Sequence, residues 1–186
     1  MLDESQLNVY VLDTSLSPRQ RERLQAQVQT ALRSLPRWVF SLLSQRIESL
    51  DVRNLPLIVE ARSPDDPSGQ IISFGEIEGR PAARLMPRLL DDGIEWEQDA
   101  RLLVAKAAGF MARPPKDDGF WRDWTDAIAT DQLREVDAVK KGGWSDATDL
   151  DLFLEMFAAY VTKTDHERWT AFAATRAFFD AWRDRA

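Results

Sequence analysis

From Leu102 to Ala112 the chain reads Leu-Leu-Val-Ala-Lys-Ala-Ala-Gly-Phe-Met-Ala, eleven residues with a single charge at Lys106. In a helix its neighbours three and four residues away are Leu102, Leu103, Gly109 and Phe110, so the lysine has apolar or small surroundings. An ammonium in that setting snorkels to water, loses its proton or finds a carboxylate. Asp151 and Glu155 are candidate partners, four residues apart on a segment with two apolar stripes. Leu150, Phe153, Leu154, Phe157 and Val161 make one stripe, and Leu152, Met156 and Tyr160 make the other. Like charges at this spacing repel by about 0.2–0.5 kcal/mol unless a cation joins them. A desolvated Lys106 beside the two acids could serve as a nucleophile or base, which gives an enzyme reading. Two plainer readings stand beside it. Thr148 followed by Asp151 has the form of a capping box, and Lys106 can snorkel.

Other chemistry is excluded by what the chain lacks. There is no cysteine, and the only histidine is His166, so thiolate or two-histidine zinc sites and serine–histidine pairs have no residues to build them. The position four residues beyond His166 is Thr170, which leaves Asp165-His166-Glu167 as a helix start. Asp65-Asp66, Asp91-Asp92 and Asp117-Asp118 read as solvated turn acids without a calcium loop, and Gly142-Gly143 as a connector without the rest of a phosphate loop. The seven tryptophans, Trp121, Trp124, Trp144 and Trp169 among them, read as core or as an aromatic recognition surface.

The elements that would position these groups follow from pattern. Leu7 to Leu12 reads as a strand. Ser17-Pro18 starts a helix with Leu24, Val28, Ala31, Leu32 and Leu35 on one stripe. Pro36 starts a second helix with Val39, Phe40, Leu43 and Ile47 facing inward. Leu55 to Glu60 and Gln70 to Ile77 read as strands, Ser63 to Gly69 as a loop between them, and Glu78-Gly79 as a turn returning into Ala82 to Met86. Everything beyond Gly93 is expected to be helical, over 95–112, 120–129, 148–161 and 167–183. The expected fold is α+β, with a small mixed sheet in the N-terminal half and a helical C-terminal half, in one domain over 1–186.

Composition bounds the partners. A length of 186 residues with 44% apolar residues suits one domain that needs no disulfide or metal to hold it. A net charge of -7 with interleaved signs argues against nucleic acid, whose binding requires clustered cations. The opening Met1-Leu2-Asp3-Glu4-Ser5 has no signal-peptide pattern, and no run of roughly 18 apolar residues is present to cross a bilayer. The expected location is the cytoplasm.

The order of pieces in the second half resembles the catalytic domain of the anthrax lethal factor and its zincin-fold relatives, whose His-Glu-x-Gly-His helix and later glutamate bind zinc. Setting Gly109 on the motif glycine puts Lys106 at the first histidine, Ala107 at the glutamate and Phe110 at the second histidine. The family's later ligand glutamate with Phe-Phe-Ala-Glu-Ala-Phe is similar to Asp151-Leu152-Phe153-Leu154-Glu155-Met156-Phe157. Its tyrosine seven residues earlier falls on Trp144, and a Thr-Asp-His near its last helix matches Thr164-Asp165-His166. The resemblance is strongest over 94–183.

It implies a zincin-like scaffold whose former active site is Lys106, Ala107, Phe110, Trp144, Asp151 and Glu155, with no catalytic residue, metal or cofactor. Zinc hydrolysis needs neutral imidazoles or carboxylates, an open position for water and a base, and of the matched positions only Asp151 keeps metal-binding chemistry. The resemblance further implies that the Lys106 ammonium takes the vacated cation position beside Asp151, Glu155 or both, with Phe110 filling the remaining space. The leading functional expectation is an inactive metallopeptidase domain that binds a protein partner or regulates one. The alternatives are an enzyme with repurposed, metal-independent chemistry on Lys106, Asp151 and Glu155, and a structural subunit of an oligomer.

Overall fold

The computed structural model describes residues 7–12, 16–61, 72–87, 89–90, 93–94, 97–114, 118–135, 148–162 and 171–186. The loop 63–69, Asp65-Asp66, Asp91-Asp92, Asp117, Gly142-Gly143, Trp144, Thr164-Asp165-His166 and Trp169 lie outside these residues. The chain divides into two compact units, Met1–Arg113 and Pro114–Ala186.

The first unit is α+β. Its elements run β1 (Leu7–Val11), α1 (Pro18–Arg33), α2 (Arg37–Leu50), β2 (Leu55–Val59), β3 (Ile72–Ile77), β4 (Arg80–Leu85), β5 (Leu89–Leu90), β6 (Gly93–Ile94) and α3 (Glu97–Ala112). Four strands form a mixed sheet in the order β1-β2-β4-β3, with β1, β2 and β4 parallel and β3 antiparallel at the edge. The two helices between β1 and β2 supply the crossover that a parallel pair requires. β2, Leu-Pro-Leu-Ile-Val, is buried along its length, as expected for a strand inside a parallel stretch.

Local chemistry accounts for the boundaries. Ser17 accepts from Gln20 N while the Gln20 side chain accepts from Ser17 N, a full capping box, and Pro18 enters the first turn, where its missing N–H costs nothing. The β3–β4 hairpin turns on Glu78 and Gly79, both with positive φ (52° and 73°), the backbone that matches strand twist in a two-residue turn. A glutamate in that region is strained, and its carboxylate is held by Arg80 at 2.6 Å. At two places the structure departs from the pattern expected of the sequence. Phe40 is only half-buried and Leu42 takes the core position, because the buried stripe of α2 runs Val39, Leu42, Leu43, Ile47. Gly93–Ile94 pairs with Leu89–Leu90 as a strand, so the chain beyond Gly93 is not wholly helical.

The second unit is helical: α4 (Asp118–Thr130), a 3-10 turn at Leu133–Glu135, α5 (Asp149–Thr162) and α6 (Ala173–Arg183). Its core is aromatic. Trp124, Phe153, Phe157 and Phe179 are fully buried, and Phe153 has Trp124, Phe179 and Trp182 within 5.7 Å, centroid to centroid. The edge-to-face and tilted ring pairs stabilise beyond simple burial, by about 0.5–1.5 kcal/mol each. Trp124 and Trp182 are thus core rather than recognition surface, and Trp124 Nε1 donates to the Asp149 carbonyl at 3.1 Å.

Candidate functional site

Helix α3 carries three of the singled-out positions. It packs against β4 and β3 and against α1 and α2, which requires an apolar surface on several sides. Val104, Ala105, Ala107, Ala108 and Met111 accordingly have no exposure. The alanines keep the helix slim enough for this close packing. Lys106 is half-buried, and its neighbours Leu103, Gly109 and Phe110 are buried.

Phe110, buried to 6% exposure, stacks on Phe74 of the edge strand β3, with ring centroids 4.6 Å apart and planes 21° from parallel. One turn further on, the Arg113 guanidinium lies over the same ring, 4.0 Å from its centroid, and Arg113 Nη1 donates to the Phe110 carbonyl at 2.9 Å. That bond closes the C-terminus of α3, where a cation also meets the negative end of the helix dipole. Burial, and after it the Arg46 cation, lower the Arg113 pKa to about 10 against the opposing pull of Glu76. Arg46 of α2 is shifted down by burial too, again opposed by Glu76.

Asp151 and Glu155 sit on α5 in the second unit. The Asp151 carboxylate accepts from Thr148 Oγ1 at 2.6 Å and from Thr148 N at 3.3 Å, while Asp151 N donates to Thr148 Oγ1 at 3.1 Å. The plainer expectation of a helix-start capping box therefore accounts for Asp151. Glu155, one turn on, is half-buried. Lys106, Ala107 and Phe110 thus belong to the first unit and Asp151 and Glu155 to the second, and Trp144 lies outside the described residues. A Lys106 pair with either acid rests on sequence pattern alone.

Arg46, Phe74, Glu76 and Arg113 were not among the residues singled out from sequence. The available signal was Arg113 at the end of an apolar helix, three residues after Phe110 and just before Pro114. Among the described residues no group of three or more His, Cys, Asp or Glu side chains is placed to hold a metal ion. No protein-family model, curated protein or solved structure matches this chain.

Proposed function

We propose that the chain is a catalytically inactive zincin-like domain that binds or regulates a protein partner. In this reading it uses no metal or cofactor, works in the cytoplasm, and does not bind nucleic acid or membranes. The observation that carries the reading is the packing of α3 at the positions where the resemblance calls for chemistry. Ala107 has no exposure, and the Phe110 ring is occupied by Phe74 and Arg113. In this reading hydrocarbon that supports the fold stands where the resembled motif has a general base and an imidazole ligand. Acidic net charge with interleaved signs and the want of a helix long and apolar enough to cross a membrane, among the described residues, accord with the partner assignment.

The test joins two measurements on the purified chain. A peptide-library digest with zinc supplied is expected to show no cleavage, and affinity capture from the source cell with quantitative cross-linking is expected to recover a protein in fixed ratio to the chain. Zinc-dependent cleavage that a Glu155→Gln or Asp151→Asn change abolishes would overturn the reading.

A further inference from the structure

We propose that the chain pairs with a second copy of itself through the sheet face that carries Tyr10, the ring of each copy seating in a trough on β3 and β4 of the other. The proposal does not rest on the zincin-like reading, since it uses only the sheet of the first unit.

Strand register puts the ring and the trough on one face. Tyr10 pairs with Ile58, Ile58 with Arg84 and Arg84 with Ser73, so these four side chains form one row across β1, β2, β4 and β3. The adjacent row, Leu57, Ala83 and Phe74, faces the other way, and there Phe74 lies on Phe110 of α3. At the β1 end of the Tyr10 row stand the two large hydrophobic side chains exposed among the described residues, Tyr10 at 45% and Leu12 at 53%. Asn8 Nδ2 donates to the Tyr10 hydroxyl at 2.9 Å, which holds the ring in place, so little side-chain freedom is lost on docking. Toward the β3 end is a trough of about 140 Å³, lined by Ile58, Ser73, Gly75, Ile77, Ala82 and Arg84. Gly75 pairs with Ala82, and a methyl group at Gly75 would meet nothing within 4 Å. A cavity of about 150 Å³ holds a benzene ring, so the trough has room for that of a tyrosine.

The geometry selects a second copy as the occupant. Strands lie about 4.8 Å apart, so Tyr10 stands about 14 Å from β3 along the row, too far to reach the trough of its own chain. A two-fold axis along the strands, between two such faces, exchanges the ends of the row and lays the Tyr10 of each copy over β3 and β4 of the other. The same rotation brings opposite charges together. Glu60, just past β2, and Arg84, on β4, are 3.5 Å apart with nearly half of each side chain exposed, and Glu60 of one copy comes over Arg84 of the other. Four strands of about five residues make a face of about 19 Å by 17 Å, so the interface is small and association in the micromolar range is expected.

The test is sedimentation equilibrium of the full chain from micromolar to millimolar concentration, where a monomer–dimer equilibrium is expected. Tyr10→Ala removes the ring and Gly75→Val fills the trough, and each should weaken association about tenfold or more. Both positions are exposed, and a cooperative unfolding transition kept in each variant separates loss of the contact from loss of the fold. In an equal mixture of isotope-labelled and unlabelled chain, NOEs from the Tyr10 ring to the Ala82 methyl group are expected between copies. A chain monomeric throughout, association unchanged by both substitutions, or NOEs between copies that join Tyr10 to β1 and not to Ala82 would overturn the proposal.

Discussion

The Phe110 ring stacks on Phe74 at 4.6 Å, tying the last turn of α3 to the edge strand of the sheet. The helix and the β3–β4 hairpin are thereby locked at the place where the resemblance expects a metal ligand. Phe110→Ala removes a buried ring and leaves a cavity, and should cost about 3–5 kcal/mol in denaturant unfolding. Phe74 is half-buried, so Phe74→Ala should cost less. A double-mutant cycle between them is expected to give a coupling of about 0.5–1.5 kcal/mol, and additive effects would show that the stack contributes nothing of its own.

Asp131, just past the end of α4, caps the start of α6. Its two carboxylate oxygens accept from Ala174 N at 3.1 Å and Thr175 N at 2.6 Å. These are backbone donors that the first turn of a helix cannot satisfy itself, and the negative charge suits the helix N-terminus. Asp131→Ala should destabilise the chain by about 1–2 kcal/mol, with faster amide exchange concentrated in α6. Asp131→Asn retains an acceptor and should recover part of the loss. Unchanged exchange in α6 after the alanine change would contradict this assignment.

Tyr160 gives a prediction about alkaline pH. Its hydroxyl donates to Asp180 Oδ1 at 2.6 Å, and burial first, then this bond, raise its pKa well above the usual tyrosine range, against the smaller effects of Arg183 and Arg176. The folded state therefore keeps a proton that the unfolded state releases near pH 10. The resulting stability is whole below about pH 10 and is lost as pH rises through the folded value. Unfolding free energy should fall with pH over that range, and Tyr160→Phe should flatten the slope while costing about 1 kcal/mol at neutral pH, since the pair is partly exposed. A slope identical in the two proteins would contradict the assignment. Tyrosinate absorbance should likewise lose a late-ionising component in the variant.

The elements were legible where the signal is local. Ser17-Pro18 marks the start of α1, and Glu78-Gly79 marks the hairpin, because each fixes backbone geometry over a few residues. Thr148 and Asp151 likewise carry a local capping signal that the helix start satisfies. The capping of α6 by Asp131 was not legible, because it spans more than forty residues of sequence. The two-residue strands β5 and β6 are too short for alternation to distinguish them from a turn. Phe40 and Leu42 exchanged places because each continues the helical stripe of α2 within one residue's rotation.

We propose that the α3 positions that the resemblance sets on a zinc motif serve packing and not chemistry. The most direct test is calorimetric titration of zinc into chelator-treated chain, with metal content of the protein as purified measured in parallel. No stoichiometric binding is expected at either stage, and no change on Lys106→Met. One tightly held zinc per chain, lost when Asp151 or Glu155 is replaced by its amide, would contradict it.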